Sequence, residues 1–98
     1  QLNPAMQADG SKHYALEGDL FFGSVGDFEK GLDVKNDPAV VVIDFTHSNI
    51  ADRGALESLN KMVKKYQALD KQLRVKNLDE KSRLLLKKAA DLSLIQEV

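Results

Sequence analysis

The sequence predicts an α/β domain, a central mixed β-sheet flanked by helices in the order β-β-α-β-α-β-α-β. Three observations carry this reading. Ala39–Phe45 is a nearly continuous apolar run rich in β-branched residues, which marks a strand covered on both faces. Just after it, Leu56, Leu59, Val63, Tyr66 and Leu69 recur at helical spacing, with Met62 beside them. Helical and strand-like segments then alternate along 98 residues, as they do where strands are joined by helical crossovers.

Taken in order, residues 1–11 read as a flexible lead-in, with Pro4, Gly10 and small polar residues. His13–Glu17 predicts a first strand. Gly18–Asp19 offers a tight turn, and Leu20–Phe22 would return as a second strand. Ser24 and Asp27 have the spacing of a capping box, followed by Val25, Phe28 and Leu32 on one helical stripe. Pro38 keeps that helix from running into the strand that follows. The next helix should run from about Asp52 to Leu69, with Glu57 and Lys61 in a favourable i,i+4 arrangement. Leu73–Leu78 reads as a short strand. Asp79 can cap a third helix whose apolar positions are Leu84, Leu85 and Ala89, broadened by Leu86. Ser93–Val98 would close the sheet.

Composition narrows the function. With 43% hydrophobic and 30% charged residues, the chain has the profile of an ordinary soluble domain. It has no cysteine, hence no disulfide or thiolate metal site, and its two histidines lie on different predicted elements. No run approaches the roughly 20 apolar residues of a membrane span, and Gln1–Gly10 lacks the features of a signal peptide. The start at Gln1 rather than Met suggests a piece of a larger protein. Residues 1–51 hold three basic and eight acidic side chains, whereas 52–88 hold eleven basic and five acidic, so the second half carries a basic field.

Candidate chemistry concentrates where the central strand meets the long helix, at His47, Ser48, Asp52, Arg53 and Gly54. In an open α/β sheet, ligands and partners bind at that end of the strands. Asp52 is placed to cap the helix. A magnesium site shared with Asp44 would also recruit substrate phosphates, and no nucleotide cradle accompanies the pair. Arg53 and the amides after Gly54 could receive an anion, which makes this loop a docking point for an acidic partner. His47 fits a role in loop hydrogen bonding, and Ser48 lacks the GxSxG context of a hydrolase. Phe21, Phe22 and Phe28 sit in the acidic half, away from the lysines, so nucleic-acid stacking is not expected. The residues assign no catalytic group, no metal and no cofactor.

Glu17–Ser24, Val41–Lys61 and Leu73–Ala89 together resemble a STAS domain, most of all the cytoplasmic C-terminal STAS domains of sulfate-permease (SulP) anion transporters. The resemblance covers residues 12–98 and implies a small, non-catalytic α/β unit that supports assembly or regulation. It implies a parent that carries sulfate or bicarbonate, with residues 1–11 following a membrane domain and the soluble fragment lying at the cytoplasmic face of the cell membrane. Implied partners are the transporter's own membrane domain and a cytoplasmic regulatory protein. A homodimer through Phe21–Phe22 is a further expectation, with burial of those rings as its alternative. The alternative function is a free-standing anti-sigma factor antagonist. In those relatives a phosphorylatable Ser follows the loop aspartate, but here Arg53 follows Asp52, and a guanidinium cannot accept a phosphoryl group. Loop 52–55 therefore reads as a docking surface rather than a phosphorylation switch.

Overall fold

Among the described residues, the computed structural model has seven elements: strands β1 (Leu2–Met6) and β2 (Lys12–Glu17), helix α1 (Val25–Gly31), strand β3 (Val40–His47), helix α2 (Arg53–Gln67), strand β4 (Gln72–Lys76) and helix α3 (Glu80–Lys88). The structure describes residues 1–89, 91 and 94–98. The strands lie in the order β1-β2-β3-β4. β1 runs antiparallel to β2, while β2, β3 and β4 are mutually parallel, so the sheet is mixed as expected. The predicted order of elements holds, with its last β contribution reduced to a parallel bridge between Val75 and Glu97.

The apolar run does what its composition dictates. Val41, Ile43 and Phe45 are essentially inaccessible, and they pack in one core with Tyr14 and Leu16 of β2 and Leu73 and Val75 of β4. Phe28 of α1 and Leu56, Leu59, Met62, Val63 and Tyr66 of α2 close over that face. Strand alternation sends Val42 to the opposite face, where it is also buried, beside His13 of β2 and Arg74 of β4.

The first two strands are not the ones expected. Residues 2–6, read as lead-in, form β1, and Leu20–Phe22 is not a returning strand. The reason is steric and topological. β2 has β1 on one side and β3 on the other, so no edge is left for a hairpin partner. Leu20 instead runs parallel to the loop after β3, where its amide donates to Asn49 and its carbonyl accepts from Ala51, both at 2.9 Å. β1 escaped notice because it is an edge strand that pairs through its backbone and buries little, and Pro4 is tolerated there.

Smaller departures have local causes. Ser24 occupies the cap position of α1 but makes no side-chain cap; its hydroxyl accepts from the Phe21 amide at 3.1 Å and donates to the Asp19 carbonyl. Leu69 lies beyond the end of α2 and is half exposed. Leu84 is also half exposed, because α3 turns Ser82 inward to accept a hydrogen bond from the Ile50 amide at 2.9 Å. Glu57 and Lys61 do not pair with each other: Glu57 meets Arg53 at 3.4 Å, and Lys61 reaches Glu29 of α1 at 2.8 Å. Of the expected closing strand, Ser93 lies outside the described residues. The remainder borders β4 through two backbone hydrogen bonds, from Val75 to Gln96 and from Val98 to Val75.

The entrance to β3 holds the most concentrated polar network. The side chain of Asp37 is fully buried, and it accepts hydrogen bonds from Lys12 Nζ (2.8 Å), Tyr14 Oη (2.8 Å) and Tyr66 Oη (2.6 Å). Lys12 also lies 4.8 Å from the centre of the Tyr14 ring, a cation–π distance. Breaking a buried charged pair leaves its partners desolvated and unpaired, which costs about 3–5 kcal/mol. Asp37→Ala should therefore lower the urea midpoint severely, and Tyr66→Phe, which removes one donor to a charged acceptor, should cost about 1.5–3 kcal/mol. Burial, then the neighbouring Asp37, pushes the Tyr66 hydroxyl far above its ordinary value, and burial raises Tyr14 as well. The unfolded chain thus releases these protons first. Stability should be complete below the ordinary tyrosine range, about pH 10, and should fall as pH rises beyond it. Urea unfolding at rising alkaline pH would reveal the decline, and the Tyr66→Phe chain should show a shallower one.

Candidate functional site

The junction between β3 and α2 is built around one carboxylate. Asp52 has an extended backbone at the helix start, where the first amides have no partner within the helix. Its Oδ1 accepts from the Ala55 amide at 2.8 Å, the expected cap. Its Oδ2 accepts from the Phe22 amide at 3.0 Å, which ties the loop after β2 to the same helix end. Gly54 makes this closeness feasible: a Cβ at that position would lie 2.9 Å from Phe22 Cβ.

The bound loop presents two aromatic rings. Phe21 is 40% exposed and Phe22 74%, and they meet edge to face with centroids 5.9 Å apart. Burial inside the monomer, the alternative expected for them, does not occur. The loop that carries them is tightly held, since Ser24 bonds both the amide and the carbonyl of Phe21.

The other predicted site residues divide into two groups. Arg53 and Gly54 stand beside Asp52, and Arg53 is ion-paired while remaining half exposed. Its Nη2 donates to Asp91 Oδ2 at 2.5 Å and its Nε faces Glu57 at 3.4 Å. Part of its hydrogen-bonding capacity is therefore engaged by carboxylates of the same chain. His47 and Ser48 instead join β3 to the turn after β2. The His47 carbonyl accepts from the Gly18 amide, and the Ser48 hydroxyl donates to the Gly18 carbonyl at 2.6 Å. Gly18 has φ +83°, a conformation that suits glycine.

Asp44 and Asp52 do not form a pair. Asp44 Oδ1 accepts from the Thr46 amide and hydroxyl and from Asn77 Nδ2 at 2.9 Å. Burial opposes its charge, but these hydrogen bonds outweigh it and hold the carboxyl below its ordinary range. Each aspartate is thus engaged in its own network. Beside the junction, an open groove of about 390 Å³ runs between Ile50, Ala51 and the Leu84–Lys88 side of α3.

Sequence reasoning left the exposure of Phe21–Phe22 open and missed their tether to Asp52 and the partnership of Arg53 with Asp91. The adjacent aromatic pair before Gly23 was the visible signal. Its meaning depended on the missing hairpin.

A core shared by β2, β3, β4, α1 and α2, with a preorganised, aromatic-bearing loop at the carboxyl end of its strands, defines a small α/β interaction module. The sequence pattern of the STAS domain matches residues 4–96. The chain belongs to the STAS domain family, whose members are non-catalytic regulatory modules. It is 31% identical over 77 residues, 79% of its length, to the "Putative sulfate transporter YbaR" of Bacillus subtilis (strain 168), and spans only 16% of that protein. The solved STAS domain of an antisigma-factor antagonist from Rhodobacter sphaeroides is 29% identical, with a TM-score of 0.67 over 76% of this chain and 83% of that one. The anti-sigma factor antagonist SpoIIAA in its unphosphorylated form shares the fold at a TM-score of 0.75, covering 100% of this chain and 88% of that one at 10% identity.

Asp52 should serve both stability and loop order. Asp52→Ala is expected to cost about 1–2 kcal/mol through the lost cap. It should also accelerate hydrogen exchange at the Phe22 amide, an effect that a helix cap alone would not produce.

Proposed function

We propose that this domain regulates by docking a protein partner through the β3–α2 junction and the Phe21–Phe22 loop. The observation that carries this reading is the exposed aromatic pair, held in place by Asp52 rather than left loose. A rigid apolar surface of this kind loses little conformational entropy when a partner covers it.

A signalling role, as in the anti-sigma factor antagonists, has the better support, since the Rhodobacter sphaeroides domain is similar over most of both chains. In this reading Arg53 takes the place of the phosphoacceptor, so binding is governed by partner supply or by events elsewhere, not by phosphate on that side chain. A second reading rests on the likeness to YbaR: the domain would be the cytoplasmic regulatory part of a sulfate- or bicarbonate-type anion transporter, with its own membrane domain as partner. Residues 12–98 would then be the STAS unit, preceded by a membrane domain.

A photo-crosslinker placed at position 22 in the full-length protein, in its own cells, tests both. The docking reading expects a covalent adduct at position 22 and none when the probe stands at exposed Leu69. An adduct with an anti-sigma factor or kinase supports signalling. An intramolecular adduct with a membrane segment supports the transporter. Equal yields at both positions, or no adduct at either, would count against docking here.

A further inference from the structure

Three exposed carboxylates stand on the segments that flank the aromatic loop and its helix. Asp27 lies in the first turn of α1, directly after the aromatic loop, and is exposed. Glu57, one turn into α2, is exposed on the other side of the junction, and Asp91 reaches the same place through Arg53. Against these three carboxylates Arg53 sets one positive charge, already shared between two of them. The positive end of α2 is itself partly satisfied, because Asp52 takes the Ala55 amide. Asp19 lines the neighbouring groove together with Lys81 and Lys88, and shares a second pocket with Asp27 beside Gln1.

We infer that the Phe21–Phe22 surface selects a partner segment that is apolar at its centre and basic at its rim. This rests on the docking reading above and adds the chemistry of the occupant. The apolar contact comes from the two rings, 40% and 74% exposed. Selection comes from the surrounding carboxylates, which attract lysine or arginine and repel acidic segments. A second copy of this chain fits the surface poorly, because matching junctions would bring like charges together. The basic outer residues of α2 could be reached only head to tail, an open-ended contact.

Two synthetic amphipathic peptides test the inference on the whole chain. They share the same leucine and phenylalanine positions and differ only in carrying lysine or glutamate elsewhere. Amide chemical shifts of the domain are followed as each is added. The lysine peptide should move the signals of residues 21–24 and 52–57, and weaken as ionic strength rises. Phe22→Ala should reduce its affinity about tenfold or more, in the manner of an anchor residue. Glu57→Lys and Asp27→Lys should each weaken it further from the surface rather than from the core. If the glutamate peptide binds these residues equally well, the surface docks partners but the charge assignment is wrong. If neither peptide moves these signals, or the lysine peptide maps to another face, the inference and the docking site fall together. Concentration-dependent self-association that buries Phe22 would likewise overturn it, in favour of a second copy.

Discussion

The buried carboxylate of Asp37 is the constraint on which the rest of the arrangement depends. Two elements that are distant in sequence send donors to it, β2 through Lys12 and Tyr14 and α2 through Tyr66, while the turn before β3 supplies the acceptor. Tyr14 also accepts from the Asp33 amide at 3.3 Å, which holds the chain leaving α1. An isolated carboxylate at this depth would be costly, but one with three donors, one of them charged, is compatible with a stable core. The arrangement also imposes register. A one-residue slip of β2 against β3 would send Tyr14 to the other face and leave Asp37 without that partner.

Asp52 plays the corresponding part at the other end of β3. Asp37 precedes the strand and gathers side-chain donors from the core; Asp52 follows it and gathers backbone amides from a loop and a helix. One is sealed from water and the other borders it. In parallel sheets the carboxyl ends of strands are where loops diverge and binding surfaces form. The two aspartates thus divide the work: the first fixes how the sheet meets α2, and the second fixes what the sheet presents. Rigid support beneath an exposed contact is what lets the contact remain exposed without collapsing into the core.

Much of this architecture was legible in the sequence, and the failures share one physical cause. Val41, Ile43 and Phe45 announced a buried strand, and Leu56, Leu59, Val63 and Tyr66 announced the helix that covers it, because burial dominates both patterns. Asp52 and Asp79 were legible as caps because capping is local chemistry. β1 was not legible, since backbone pairing at a sheet edge leaves almost no mark on side chains. Its absence from the reading then created the false hairpin at Leu20, which left exposure and burial of Phe21 and Phe22 undecided. The family resemblance located the candidate loop, but a linear motif could not disclose that Phe22 and Asp91 are brought to it from the two sides.

The charge distribution shows why position in sequence is a poor guide to position on a surface. An acidic first half and a basic second half suggest two opposed faces, yet folding interleaves them. Lys61 of α2 meets Glu29 of α1, and Lys71 bonds the carbonyls of Val34 and Lys35. Arg53, the most suggestive cation in the loop, meets Asp91 and Glu57. Pairs this exposed contribute little to stability, because water and salt screen them. In the proposed docking mode they matter more for recognition, because they set carboxylates beside the one cation of the loop. A loop that the sequence presents through its arginine is thus, once folded, distinguished first by its two exposed aromatic rings.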